Sequence, residues 1–512
     1  MYDFIEKKSC DLVVLGGGGS GMVAAVRAAQ LTGKKVIVLE KAAATGGGAL
    51  FAGTVRTFGS KWQADRNLPD TTAEYARDML DKTYWRLDTK LVANTLHGTG
   101  WFFDWLCEQN LGIENKFEIG KYAFEIPSGP LGPQMTSKQQ YGYGFGHFVM
   151  DKMQAQCQKY GIEVLTKHPV VDVAVKKGKI VAAIAKSEAG YVRVACKACI
   201  MSTGSWINNE KILKKCCPQF VGMKQWMDPS AHMSITYTGD AIPLAEKVGA
   251  FVDYDSFCLR LMGPMHVSKS KVFMTMCQSP FIITVNLNGQ RYSAEPVGHI
   301  GHFEDGHVQI AQPHGQSFDI FDENTLKATF QLPRRNLSNP HDLQVLGDIN
   351  LPDTMEEVYR SIEEGFAQGD KNIFRADTLE ELADKMSVNK ENFLNTVRKY
   401  NESCKIGFDA DFFKSKDTLV PLNRPPYYAI LGKLMTDGAF GGVKVNPDMQ
   451  AYRPDGSLVE GLYVTGDFAS GRFINLGGVK RQVLNDLSWA FSSGFLAGTN
   501  AGKYLESLVV FI

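Results

Sequence analysis

The sequence predicts an α/β fold built on a parallel sheet, and three stretches predict it. Residues 11 to 40 hold a buried-strand run, a glycine turn, an alanine-rich helix, a second strand and a terminal acid, in that order. A second glycine cluster, Thr45-Gly46-Gly47-Gly48 and then Ala52-Gly53-Thr54, follows directly. Far along the chain, Gly461 to Phe468 reads as a strand running into a turn that carries Asp467, followed by Asn475-Leu476-Gly477-Gly478-Val479 and a long apolar helix.

The first stretch meets a positional demand at each step. Leu12 to Leu15 is a short, continuous apolar run, as expected of a strand covered on both faces. Gly16 permits the tight turn out of it, Gly18 lets the backbone approach a pyrophosphate, and Gly21 allows the new helix to pack closely on the sheet. With Gly19 and Ser20 these residues open a helix whose free N–H groups and positive dipole end hold phosphates. Glu40, 19 residues past Gly21 and just before Lys41, ends the next strand, where a carboxylate accepts both hydroxyls of an adenosine ribose. An acid there favours NAD or FAD over NADP. The glycine cluster after the acid-bearing strand selects FAD, because a nicotinamide-binding unit would continue into helix and strand. Thr45, Gly46, Gly47, Gly48 and Gly53 are therefore expected at the cofactor.

Taken with the C-terminal segments, these stretches resemble the FAD-binding core of the fumarate reductase and succinate dehydrogenase flavoprotein family, which includes 3-ketosteroid dehydrogenases and urocanate reductase-like enzymes. The resemblance spans nearly the whole chain. Ser202-Thr203-Gly204-Ser205-Trp206 is similar to the family's A-T-G-G strand end, Thr238-Gly239-Asp240 to its T-G-D-G helix start, and Asn288 to Glu295 to its G-x-R-F-x-x-E element. Pro425 to Ala429 and Gly441-Gly442-Val443 match the P-F-Y-A and G-G-V-x-x-D pieces, and Asp467 takes the place of the acid in A-A-G-E. The resemblance implies a Rossmann-like FAD-binding domain of the glutathione reductase type, with a small antiparallel meander and an inserted α+β cap domain. It places Thr203, Gly204, Asp240, Gly466, Asp467, Asn475, Leu476, Gly477 and Gly478 at the cofactor, together with Lys41.

On that organisation the FAD-binding domain occupies residues 1–256 and 437–512, and the substrate cap 257–436. Residues 161 to 196 read as the meander, with apolar alternation and a Lys-Gly turn. The cap holds a long polar helical run near 354 to 405. Leu476-Gly477-Gly478-Val479 is expected to open the last helix and face flavin O2 and N1, with Lys480 and Arg481 either adding charge there or, by preference, on a solvated helix face.

Composition excludes several classes. Lys and Arg total 55 and Asp and Glu total 55, so no basic face is indicated for nucleic acid. No run of 18 or more apolar residues argues for a membrane span, and the acid-bearing start lacks a signal-peptide core. These features predict a cytoplasmic enzyme. Ten cysteines are too dilute for a disulfide scaffold. Cys196-x-x-Cys199 enters a strand with no second pair to complete a zinc site, and no haem attachment motif occurs, so no metal is expected.

At the reacting centre the chain departs from the family pattern. His299 stands where fumarate reductases carry an arginine proton donor, Asn475 where a carboxylate-clamping arginine sits, and Gly438 where a histidine falls. Thr275 and Gln278 take the places of a Thr-Glu pair and an arginine. Binding a dicarboxylate requires charge-assisted contacts, which this pocket has lost. The resemblance therefore implies non-covalent FAD, no histidine lying between Lys41 and Thr57 to tether it, and hydride transfer from flavin N5 to an activated C=C of an uncharged ring substrate such as a steroid or polyphenol. Candidate proton donors are His299 and then Tyr427 and Tyr428. Arg472 would orient substrate, and Arg291 would act there or buttress the cap through Glu295. Electrons would come from a separate donor, whether reduced flavin, quinone or redox protein. The alternatives are a 3-ketosteroid-type dehydrogenase, a carboxylate enoate reductase of the fumarate reductase type, and an electron-transfer subunit without its own substrate.

Overall fold

The computed structural model describes residues 2–51, 55–109, 118–119, 124–125, 145–221, 224–225, 236–265, 270–277, 279–295, 306, 308–331, 352, 354–471, 473–476, 479–482 and 486–508. The chain divides into two compact units. One comprises Met1–Val221, Met227–Leu259 and Gly438–Ile512; the other comprises Gly222–Trp226 and Arg260–Asp437.

The first unit is built on a six-stranded sheet whose order is Gln450–Tyr452, Leu458–Val464, Ala198–Met201, Leu12–Leu15, Val36–Leu39 and Glu163–Leu165. All neighbours are parallel except the outermost pair, Gln450–Tyr452 with Leu458–Val464. The central strands are buried throughout, as their unbroken apolar runs require. Parallel pairing places segments from the start, middle and end of the chain side by side, so their C-terminal ends open at one edge.

Two helices cover this sheet where it matters for the site. The first, Gly19–Thr32, buries Met22, Val23, Ala24, Ala25, Val26, Ala28 and Ala29 and ends at Gly33, whose φ of 62° suits glycine. The last, Asp486–Ser507, packs along it. A Cβ on Gly494 would overlap the Ser20 carbonyl, and one on Gly498 would overlap that of Ala24. Small residues one turn apart thus let the two backbones touch.

Three local expectations are corrected. Glu163–Leu165 is not part of the meander; it pairs in parallel with Val36–Leu39 at the sheet edge. The meander consists of Val170–Lys176, Lys179–Lys186 and Tyr191–Ala195, extended by the N-terminal strand Phe4–Ser9 running parallel to Tyr191–Ala195. The run from 354 to 405 is three helices, Met355–Ala367, Leu379–Met386 and Lys390–Ile406, with the strand Ile373–Ala376 between the first two. Gly369, at φ 69°, breaks the first helix, and Thr378 and Asn389 cap the next two.

The second unit has a sheet in which Gln316–Phe321 pairs antiparallel with Ile283–Asn286 on one side and with Tyr427–Phe440 on the other; Ile373–Ala376 also pairs antiparallel with that long strand. Apolar residues leave both faces. Ile283, Val285, Phe318, Ile320 and Ala429 pack under Leu382, Phe393 and Val397, while Phe321 and Ile430 pack with Phe273, Leu326, Val358 and Ile362.

Inside this unit lies a quartet of charges. The Arg291 guanidinium donates to Glu295 Oε1 at 3.0 Å and Oε2 at 2.7 Å and to Asp409 Oδ2 at 3.0 Å. Lys414 Nζ lies 3.4 Å from Glu295 Oε2 and donates to the backbone oxygens of Ile282 at 2.8 Å and Glu295 at 2.7 Å. All four side chains are buried, and two cations meet two anions. Burial alone would raise the Glu295 carboxyl, but Arg291 and Lys414 outweigh it and hold it below the ordinary value; Asp409 is likewise depressed against its burial, chiefly by its hydrogen bond from Arg291. Because these folded-state values lie below those of the unfolded chain, the stabilisation is present above the ordinary carboxylate range, at about pH 4, and is lost as pH falls through the depressed values. Removing one partner leaves a buried charge uncompensated. Lys414→Met should therefore lower unfolding stability by about 3–5 kcal/mol in urea titration at neutral pH, and the difference from wild type should shrink as the pH falls below the carboxylate range.

Candidate functional site: a dinucleotide cradle at the sheet edge

Three parallel strands end together, at Leu15, Met201 and Val464, and each runs straight into a turn of small residues. After Leu15, Gly16 adopts φ 104°, and a Cβ there would collide with the Ser202 carbonyl oxygen. Gly21 is closed in the same way by the Gly16 carbonyl. Gly18 differs: the nearest atom to an added Cβ is Gly47 Cα, 3.9 Å away. The first and third glycines are thus needed by the protein's own packing, while the second borders open space at a helix start, where a phosphate belongs.

The second glycine cluster closes the other side. Gly46 forms a bridge with Gly18 and donates to the Gly17 carbonyl at 2.9 Å, and Gly46 and Gly47 have φ of 129° and 52°. Thr45 accepts a hydrogen bond from Gln154 at 2.8 Å. The Glu40 carboxylate accepts from the Gly17 and Ala42 amides, each at 2.7 Å, which fixes it beside the glycine turn with lone pairs to spare for a diol. Lys41 ion-pairs with Asp240 at 2.7 Å and also donates to Thr238, whose hydroxyl donates to Asp240 at 2.6 Å. Lys41 and Asp240 therefore meet each other, at the start of the helix Ala241–Lys247.

From the C-terminal side, Gly466 has φ 65° and a Cβ there would press on the Ser20 hydroxyl. Its amide donates to Ser493 at 3.1 Å and its carbonyl accepts from the Trp489 indole at 2.7 Å. Ser20 and Ser202 hydroxyls are 2.6 Å apart. Asp467 follows in the short 3-10 turn Gly466–Phe468 and is half-buried. Gly204, at φ 69°, lies over the Tyr237 ring, and Gly48 approaches the hydroxyl of the same tyrosine.

The sequence-predicted residues thus divide into groups. Gly16, Gly18, Gly19, Ser20, Gly21, Glu40, Thr45, Gly46 and Gly47 form one cradle, with Thr203, Gly204 and Gly466 on neighbouring strand ends. Gly53, His299, Arg472, Gly477 and Gly478 lie outside the described residues. Asn475 and Leu476 fall in the strand Phe473–Leu476, which pairs antiparallel with Val479–Gln482. The expectation that Leu476-Gly477-Gly478-Val479 opens the last helix is corrected: Leu476 and Val479 belong to two paired strands, and the described part of the last helix is Asp486–Ser507. Two glycines between Phe-Ile-Asn-Leu and Val-Lys-Arg-Gln are a two-residue hairpin signal, and Lys480 and Arg481 are strand residues.

Tyr427 and Tyr428 are core residues of the second unit. Neighbours on a strand face opposite sides, and Tyr427 packs with Ile283 and Phe393 while Tyr428 stacks on Phe321, ring centroids 5.0 Å apart. Burial, then the charges of Asp322 and Glu380, pushes the Tyr427 hydroxyl above its ordinary value; burial does the same to Tyr428, which is hydrogen-bonded to Arg375. Both are engaged in packing rather than grouped at one surface, and Arg291 is engaged within the charge quartet. Cys196 and Cys199 are half-buried and buried respectively, and burial raises both thiols.

The residues present fit FAD. Besides the open space at Gly18, the hydroxyls of Thr203, Ser205, Thr465 and Ser470 are buried without a hydrogen-bond partner among the described residues. Thr465 follows directly on the strand Leu458–Val464, and Thr203 and Ser205 lie in the turn after Ala198–Met201. Buried donors left unpaired are costly, and a polar ligand at the strand ends satisfies them. Of these, Ser470, along with Tyr237, escaped sequence reasoning, and Ser202, Ser205 and Thr465 were read only as parts of motif segments and not as site residues; the signal for the latter was a hydroxyl residue following an apolar strand. The contrast between the glycines is testable. Gly16→Ala should prevent soluble folding or lower the melting temperature sharply. Gly18→Ala should keep the apoprotein's circular dichroism and melting while reducing bound flavin, read from absorbance per polypeptide.

Comparison with known proteins gives the same cofactor. The FAD binding domain family matches residues 11–478. The vinyl phenol reductase of Lactiplantibacillus plantarum is 26% identical over 463 residues, 86% of this chain and 86% of that protein. The NADH:acrylate oxidoreductase of Vibrio harveyi is 27% identical over 407 residues, 78% of this chain and 35% of that protein. Among solved structures, a 3-ketosteroid-Δ4-(5α)-dehydrogenase from Rhodococcus jostii RHA1 superposes with a TM-score of 0.68 at 20% identity, covering 98% of each chain. With a matched family spanning most of its length and a cradle shaped for the dinucleotide, this chain belongs to the FAD binding domain family and is an FAD-dependent oxidoreductase.

Proposed function

We propose that the chain reduces an activated C=C bond in an uncharged ring or aromatic substrate. One observation carries this reading: on the resemblance to fumarate reductases, Asn475 stands where an arginine would clamp a carboxylate, Gly438 where a histidine falls, and the proton-donor position holds His299 in place of arginine. A relative covered over 86% of its own length, a vinyl phenol reductase, is named for a neutral aromatic alkene. FAD, when bound, supplies hydride transfer at flavin N5. The chain's own tasks are to hold the dinucleotide through the Gly16–Gly21 turn and the Glu40 carboxylate, to exclude water from the reacting face, and to deliver one proton to the substrate carbon.

With Tyr427, Tyr428 and Arg291 engaged inside the second unit, His299 is the proton donor of this proposal and Arg472 the orienting cation. The reductant is a separate donor, a reduced flavin, quinone or redox protein. No described helix is long and apolar enough to cross a membrane, and a cytoplasmic location belongs to this proposal.

The test is anaerobic reduction of the flavin followed by mixing with vinyl phenols, cyclic enones, ketosteroids and fumarate. Neutral substrates should reoxidise the flavin at least about tenfold faster than fumarate, because one missing charge-assisted hydrogen bond is worth about 1.5–3 kcal/mol. Selective reoxidation by fumarate would overturn the reading, and reduction of oxidised enzyme by a saturated ketosteroid, with no reoxidation by any alkene, would make it a dehydrogenase. His299→Gln should slow single-turnover reoxidation by about 10²–10⁴-fold if that side chain is the general acid; an unchanged rate removes it. Acid precipitation should leave the yellow colour in the supernatant, and colour in the pellet would mean a covalent tether.

A further inference from the structure

The end of the helix Lys390–Ile406 leads into a loop that turns three large apolar side chains outward. Ile406, Phe408 and Phe413 are 71%, 54% and 75% exposed. The two phenyl rings meet edge to face with centroids 6.2 Å apart, so they form one tip. The loop beneath is held firmly. Gly407, at φ 70°, ends the helix by donating to the Ser403 carbonyl. Asp409 is tied to Arg291, Phe413 donates to the Asp409 carbonyl at 2.9 Å, and Lys414 is sunk into the charge quartet. Phe413 itself sits at φ 57°, a region that disfavours a bulky side chain. The backbone thus keeps a strained aromatic residue pointing at water.

Three lysines flank the tip. Lys399, Lys405 and Lys416 are exposed. Lys399 lies two turns before Ile406 on the same helix face, and the Lys416 side chain passes 3.3 Å from where a Gly407 Cβ would stand. None of the three joins an ion pair among the described residues, whereas nearby Arg398 and Lys390 are paired with Glu402 and Asp384. The acids of the loop are Asp411, exposed, and Asp417, half-buried beside Lys416.

We propose that this tip is a membrane-contact site that enters the headgroup region of an anionic bilayer. Ile406, Phe408 and Phe413 would sit at the acyl boundary, and Lys399, Lys405 and Lys416 against lipid phosphates. A protruding apolar tip needs no matching pocket in a lipid surface, and unpaired lysines beside it complement the negative leaflet. Such a contact is peripheral and salt-sensitive, and it would bring the enzyme to lipid-dissolved electron donors. It stands independently of the substrate reading above.

The experiment is co-sedimentation of the flavin-loaded chain with vesicles of phosphatidylcholine alone or of equal parts phosphatidylcholine and phosphatidylglycerol. The chain should pellet with the mixed vesicles, much less with the neutral ones, and less again at high salt. Phe408→Ser/Phe413→Ser should partition at least about tenfold more weakly, two buried aromatic side chains being ample for that, with unchanged flavin content and unchanged turnover with a water-soluble reductant. Phe413→Gly relieves the backbone and should melt no lower than wild type while also losing partitioning. Wild type that stays in the supernatant with both vesicles overturns the proposal, as does equal partitioning by these variants. A concentration-dependent dimer abolished by Phe408→Ser/Phe413→Ser would assign the tip to a second copy and overturn it equally.

Discussion

The close approach of the first and last helices is the constraint on which the cofactor unit depends. Gly494 and Gly498 lie against the backbone of Ser20 and Ala24, where no side chain fits. That contact holds the end of the chain against its beginning, and the strand Leu458–Val464 beside Ala198–Met201 then presents Thr465 and Gly466 at the same edge as Gly16. The helix packing and the turn geometry share atoms: Ser20 touches both Gly494 and Gly466, and Trp489 and Ser493 of the last helix bond Gly466 directly. A glycine stripe and a nucleotide cradle are here a single arrangement.

What could be read from the sequence was local. The strand-glycine-helix-strand-acid order of residues 11–40 is encoded in consecutive residues, and each glycine has a separate steric reason, so the fold class and the course of the glycine turn were legible. The errors lie where two local readings compete. A Gly-Gly pair before an apolar helix reads as a helix start, yet between Phe473–Leu476 and Val479–Gln482 it joins two strands. Glu163–Leu165 alternates like a meander strand but finds its partner at Val36–Leu39, far back in the chain. Polar helical periodicity across 354–405 hid the strand Ile373–Ala376, whose pairing with Tyr427–Phe440 is long-range. The buried hydroxyls of Ser205, Thr465 and Ser470 gave almost no signal, because serine and threonine at strand ends are common for many reasons.

The second unit shows why motif residues need a face as well as a position. Tyr427 and Tyr428 are adjacent and aromatic, which draws attention as a catalytic pair, but strand alternation sends them into separate cores on opposite sides of one sheet. Arg291 pairs with Glu295, the buttress that its spacing suggested, and its guanidinium also reaches Asp409. Both cases turn chemically capable groups into framework. Within the chain's family, whose members act on quite different small molecules, a framework of this kind allows the surrounding loops to change while the sheet persists.

The quartet of Arg291, Glu295, Asp409 and Lys414 has a consequence for evolutionary history. Any one of the four, altered alone, strands its neighbours in an apolar interior, whereas all four exchanged together for well-packed hydrocarbons would be far better tolerated. Natural drift moves by single steps, so a lineage that once acquired this arrangement meets a fitness valley on every side. The cluster would then persist by epistasis, as a frozen accident of ancestry, whether or not it is the most stable filling for that space.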